Sequence, residues 1–216
     1  MPEMTSVLKM PSNLSKKLDR EFYERPTLQV AKDLLGMFIV YKHPDGKISA
    51  RIVEVEAYIG ENDPACHASR GLTKRNAVMF GEGGFSYIYF VYGMHHCLNF
   101  VTETKSRPAA VLIRAAEVDE GIEIMRYNSP NKKLIDQLRG PGRLCRSFGL
   151  TVKESGLDLT QNTLYLERRE SGKKAKIGRT TRVGINLGTD KLWRFYDKES
   201  LAVSALPKAK VKRSKV

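Results

Sequence analysis

The sequence predicts an α+β fold, one compact domain with a curved, mainly antiparallel β-sheet flanked by helices. Three observations carry that expectation. At 216 residues the chain is long enough for one sizeable core. Short runs rich in β-branched and aromatic residues outnumber helical patterns. Several consecutive runs are separated by turns too short for anything but hairpins.

Residues 1–20 read as a polar N-terminal arm, residues 21–207 as the globular domain and residues 208–216 as a basic tail. A helix is expected from Pro26 to Gly36, since proline suits a first turn and glycine a C-terminal cap. Phe38–Tyr41 is a short strand. His43-Pro44-Asp45-Gly46 is a turn, with a fixed φ at Pro44 and freedom at Gly46. The strand Arg51–Gly60 closes that hairpin. On it Glu54, Glu56 and Tyr58 are expected on one face, with Val53, Val55 and Ala57 on the other. From Glu61 to Gly84 there is little periodicity, and long loops in compact domains tend to be functional. Phe85–Tyr92 and His95–Val101 form the next hairpin, with Tyr92 at its tip beside Gly93. Val111–Glu117 is a strand, Asp119–Tyr127 and Leu134–Arg139 read as helices, and Arg143–Phe148 is a short helix capped by Gly149. Strands are expected at Thr163–Glu167, Thr181–Ile185, Leu192–Tyr196 and Leu201–Ser204.

The formal net charge is +13, and Lys208–Val216 carries five of those charges, so the body keeps +8. An anionic partner follows, nucleic acid before a membrane surface. No apolar run approaches the roughly 20 residues that span a bilayer, and Met1–Asn13 lacks the apolar centre of a signal peptide, so an intracellular location is expected. Cys66, Cys97 and Cys145 are isolated, as reduced thiols would be. The Cys66, His67, His95, His96 and Cys97 spacings match no zinc pattern, so no metal is expected.

Two carboxylates and a tyrosine on one strand face read either as a solvated or cation-paired surface, or as a general base beside a stacking platform. Further blocks accompany them: His67, Arg75-Asn76, Tyr87-Ile-Tyr-Phe-Val-Tyr-Gly-Met94, Asn99, Leu112-Ile-Arg-Ala115, Gly140-Pro-Gly-Arg-Leu-Cys145, Arg182-Val-Gly184 and Trp193-Arg-Phe195. In this order, from about Phe22 to Ser204, the set resembles the alkyladenine (3-methyladenine) DNA glycosylase family. The resemblance implies a monofunctional, cofactor-free enzyme without lyase activity, acting as a monomer on double-stranded DNA. Its substrates would be alkylated or deaminated purines, flipped out of the duplex and cut at the N-glycosidic bond to begin base excision repair.

By position, Glu56 resembles the residue that activates the attacking water, and Arg114 and the Val183 carbonyl the groups that help hold it. Tyr58, His67 and Tyr89 resemble the walls of the base pocket. Asn99 resembles the residue that crowds the purine 2-position, and Tyr92 the wedge that fills the gap left by the flipped nucleotide. Lys74, Arg75, Met94, His95 and Arg143 are the candidates for the DNA backbone. Vertebrate members have tyrosine where His95 stands, and the loop after His67 is about one residue shorter here. The long N-terminal extension of vertebrate members is missing, which suggests a bacterial-type protein of the cytoplasm and nucleoid; a eukaryotic source would place it in the nucleus. Two rival readings are a damaged-DNA binder that does not cleave and a general basic nucleic-acid module. The joint presence of Glu56, Arg114 and Val183 argues against the first.

Overall fold

The computed structural model describes residues 16–130, 132–169 and 174–204. Most of the expected arm and the whole expected tail lie outside these residues. Nine described strands join one open sheet in which every pairing is antiparallel: β1 (Lys16–Lys17), β2 (Phe38–His43), β3 (Gly46–Ile59), β4 (Ser86–Val91), β5 (His95–Thr102), β6 (Ala109–Glu120), β7 (Leu164–Arg168), β8 (Ile177–Thr180) and β9 (Arg194–Asp197). The order is β1-β7-β2-β3-β6-β5-β4, with β9 on β3 and β8 outside β9. The helices are α1 (Arg20–Tyr23), α2 (Thr27–Asp33), α3 (Ile122–Asn128) and α4 (Pro141–Phe148). Lys16 and Lys17 pair with Arg168 and Glu167, and Leu18 is buried, so the chain joins the body before residue 21.

The sheet is organised around β3. β6 pairs with one of its edges from Ser49 to Ile59. On the other edge β2 pairs with Gly46–Arg51, and β9 takes over at Glu54–Glu56. The middle of β3 is irregular. Ile52 opposes Ala116, Glu54 opposes Ala115 and Val55 opposes Ile113, so Val53 on β3 and Arg114 on β6 are each one residue too many. These facing bulges change which residues look inward. Ile48, Ala50 and Ile52 enter the main core before the bulge, and Val55 and Ala57 enter it after. Val53 therefore does not share a face with Val55 and Ala57, as strict alternation had placed it. It packs with Ala115, Ala202 and Val203 in a separate small cluster.

Four expected elements differ for identifiable reasons. Asp119 continues β6, which stays paired with β3 as far as Glu120. The helix starts only after Gly121, at φ 84°. Leu134–Arg139 is helical only as a single 3-10 turn, Leu134–Asp136, because Leu138 accepts from the Ala116 amide and Arg139 bridges Ala115. Residues 181–185 form a loop, with Arg182 and the Val183 amide directed at carboxylates instead of a neighbouring strand. Residues 201–204 also form a loop; Ser204 turns its amide and hydroxyl to Glu54.

The long connection from β3 to β4 carries two 3-10 turns, His67–Arg70 and Ala77–Phe80. Buried Asn76 holds it: Nδ2 donates to the carbonyls of His67 and Gly71, and Oδ1 accepts from the Thr73 amide. A satellite core of Cys66, Ala68, Met79, Tyr87, Val101 and Ala110 fixes this loop against the sheet.

Gly121 tests the β6–α3 junction. A Cβ there would lie 2.5 Å from the Lys47 carbonyl and 3.0 Å from Ile48 Cα, on a backbone with positive φ. Gly121→Ala is expected to cost about 2 kcal/mol or more by combined strain and overpacking. A urea midpoint unchanged from the parent would contradict this.

Candidate active site

Glu54 and Glu56 are both fully buried, and they differ in what surrounds them. Glu54 is saturated. Its Oε1 accepts from Arg114 Nε at 3.1 Å, Arg194 Nε at 2.7 Å and the Ser204 hydroxyl at 2.8 Å, and its Oε2 accepts from the Ser204 amide at 2.6 Å. Glu56 has three donors. Oε1 accepts from the Val183 amide at 2.7 Å, and Oε2 accepts from the Tyr58 hydroxyl at 2.9 Å and Arg114 Nη1 at 3.3 Å. The paired bulges make this possible, since they place Arg114 across both carboxylates at once.

Burial pushes the Glu56 carboxyl above its usual range, and Arg114, the Val183 amide and the Tyr58 hydroxyl pull it partly back. The result is a carboxylate more basic than an exposed one. The residue face expected from the sequence holds for Glu54, Glu56 and Tyr58, and both carboxylates are cation-paired, Glu54 with Arg114 and Arg194 and Glu56 with Arg114. At Val183 the amide N–H contacts Glu56.

Tyr58, Arg114 and Val183 all line a cavity of about 350 Å³. That is near the lower end of the range of roughly 300–1,000 Å³ for small-ligand pockets. Glu56 lies directly behind these three. Tyr58, His67, Tyr89 and Asn99 supply walls, and Tyr92 stands at the rim. The His67 ring lies 4.5 Å from Tyr89 in an edge-on arrangement, and its Nδ1 is 2.8 Å from the Tyr87 hydroxyl. Burial first, and Arg75 second, lower the His67 pKa and favour neutral imidazole. Asn99 Nδ2 donates to the carbonyls of Tyr87 and Cys97, which fixes the amide and leaves the oxygen as its remaining polar atom.

Val91 pairs with His95, so Tyr92, Gly93 and Met94 form a three-residue hairpin loop. Tyr92 adopts φ 54° and Gly93 φ 66°. A left-handed tyrosine costs about 1–2 kcal/mol, and here it holds a side chain that is 77% exposed. Met94 and His95 are exposed on the same hairpin, and His95 packs closely over Gly142 at the start of α4. Lys74 is exposed. Arg75 donates to the Phe90 carbonyl and lies 5.2 Å from the Tyr89 ring centre, so it also braces a pocket wall. Arg143 is exposed and lies 3.8 Å from Asp136.

Asp63 and Ser204 carry no site role in the sequence reading, and Arg182 and Arg194 stand in the quoted blocks without one. A lone arginine or serine far along the chain carries no local signal. The clue available was that an arginine within an apolar stretch needs a carboxylate partner. Among the described residues no helix is long and apolar enough to cross a membrane.

The family model described as methylpurine-DNA glycosylase matches residues 21–201. A relative from Methanocella arvoryzae, provisionally named a 3-methyladenine DNA glycosylase, is 50% identical over 192 residues, covering 87% of this chain and 95% of its own. Relatives with the same provisional name from Chlorobium phaeobacteroides and Sodalis glossinidius are 44% and 48% identical. They cover 88% and 82% of this chain, and 96% and 95% of their own. A buried carboxylate behind an aromatic cavity and a match over nearly the whole folded body agree: the chain belongs to the methylpurine-DNA glycosylase family, DNA glycosylases that act on alkylated bases.

Proposed function

We propose that the protein flips alkylated or deaminated purines out of duplex DNA and hydrolyses their N-glycosidic bond, leaving an abasic site for base excision repair. The observation that carries this reading is Glu56, buried behind a base-sized aromatic cavity and held by Tyr58, Val183 and Arg114. A base inside the duplex is out of reach, so it is extruded at a cost of a few kcal/mol (roughly) in unstacking. Tyr92 fills the gap it leaves, and its strained backbone keeps the ring presented before DNA arrives.

The flipped purine enters between Tyr58, His67 and Tyr89. Aromatic faces favour a cationic alkylated base by roughly 0.5–2 kcal/mol each. Neutral His67 adds no opposing charge. Asn99, anchored through its nitrogen, cannot swing aside and crowds the purine 2-position. Glu56 takes a proton from water as the water oxygen bonds to C1′, and the C1′–N pair leaves with the base. The carboxylate also stabilises the cationic charge that builds on the sugar. Arg114 and the Val183 segment orient the carboxylate and the water beside it. None of the described residues lining the cavity is a lysine, which favours hydrolysis over a Schiff-base lyase route. Lys74, Arg75, Met94, His95 and Arg143 face the duplex backbone, and the monomer suffices without a cofactor.

On duplexes containing hypoxanthine or ethenoadenine, strand breaks are expected only after alkali treatment. Glu56→Gln is expected to slow single-turnover excision by at least about 10²–10⁴-fold while retaining lesion binding. Glu54→Gln should instead lower stability by about 3 kcal/mol or more, because it strips a buried charge from Arg114 and Arg194. Near-parental excision by Glu56→Gln would remove Glu56 from the chemistry, and no excision by the parent protein would leave only the non-catalytic damage binder. Tyr92→Ser should fold normally and reduce the flipped population, read by the fluorescence of an unstacked lesion analogue. Equal flipped populations would remove Tyr92 from the mechanism.

A further inference from the structure

Arg182 is buried completely, one residue before the amide that contacts Glu56, and the hydrolytic reading gives it no role. Its Nη1 donates to Asp63 Oδ2 at 2.5 Å and to the Ala57 carbonyl at 3.0 Å. Its Nη2 donates to Asp63 Oδ1 at 2.7 Å and to the Gly188 carbonyl at 3.2 Å. The guanidinium also lies 4.7 Å from the Tyr58 ring centre and 5.2 Å from that of Trp193. Among the described residues Nε is buried without a partner, so the two Nη groups carry all the hydrogen bonds that set its orientation. Gly188, at φ 61°, permits the approach; a Cβ there would come within 3.0 Å of Nη2.

We infer that the Asp63–Arg182 fork is a positioning device for the base excision step: it ties the 181–188 loop to the end of β3 and so holds two of Glu56's three donors. Ala57, whose carbonyl the fork grips, lies between Glu56 and Tyr58. Tyr58, whose hydroxyl donates to Glu56, is packed by the guanidinium. Val183, whose amide donates to Glu56, is the next residue in the chain. A bidentate arginine–carboxylate pair fixes direction as well as distance, which a single contact would not. This inference rests on Glu56 acting as the base.

The groups near Glu56 are Glu54 and Tyr58 on β3, Arg114 on β6, Arg182 on the loop, and Tyr89 and Cys97 on the hairpin. Loss of the Val183 N–H contact disfavours the carboxylate, so the acid limb of the rate should move to higher pH. The experiment is a single-turnover pH profile on an ethenoadenine duplex for Asp63→Asn, with Glu117→Gln in the Arg51 ion pair as a control weakened away from the site. Asp63→Asn should reduce the rate about 10- to 100-fold near neutrality. It should also raise the acid limb by about one pH unit, with lesion affinity unchanged. Glu117→Gln should leave the limb in place. Should Asp63→Asn fail to fold, Arg182→Lys keeps the charge and loses the fork, and a smaller shift in the same direction is expected.

A parental profile, or a lower rate with an unmoved limb in whichever variant folds, overturns the inference and leaves the proposed function standing. Parental excision by Glu56→Gln in the same assay removes Glu56 as the base, and the inference with it.

Discussion

Two carboxylates buried two residues apart cannot both stay ionised without cations beside them, and much of this fold serves to deliver those cations. Arg114 spans Glu54 and Glu56, and Arg194 adds a second positive charge at Glu54. Arg114 reaches both because β6 carries an extra residue there, matched by the extra Val53 on β3. A regular ladder would hold one acid–arginine register and lose the other. The bulge is therefore what turns an ordinary strand face into a site, and Val53, Ala115, Ala202 and Val203 pack together beside it.

The unequal saturation of the two acids divides their work. Glu54 is tied to β6, β9 and the 201–204 segment, so it joins chain ends that are distant in sequence. Glu56 has fewer donors, and three of its neighbours open onto the cavity. The same strand thus supplies a saturated carboxylate and a less saturated one, to which the proposed mechanism gives the chemistry. Rigidity continues outward through the Asp63–Arg182 fork and the Asn76-braced loop, which brace the cavity walls.

Much of this was legible in the sequence because it is local. Alternation placed Glu54, Glu56 and Tyr58 together, the turns at Gly46 and Gly93 gave both hairpins, and Tyr92 fell in the turn it was expected to occupy. What was missed is what depends on distant partners. Val53 was assigned to the wrong face because a bulge is decided by the opposing strand. Residues 181–185 and 201–204 have strand-like composition, yet their amides serve carboxylates more than 100 residues earlier. Asp119 looked helical because the pairing of its neighbours Val118 and Glu120 with β3 is invisible to a local window. Which of the two acids was saturated could not be read from β3 alone, since two of Glu54's partners, Arg194 and Ser204, come from the last described segment.

Burial raises the basicity of Glu56 above that of an ordinary glutamate, and its three donors limit the rise. Carboxyl-labelled glutamate followed by NMR through a pH titration, with Glu56→Gln to assign the resonance, measures this directly. A Glu56 midpoint above the ordinary 4.5 is the expected result. A midpoint at or below 4.5 would mean that the donors outweigh burial, and the account of Glu56 as a raised, poised base would be wrong.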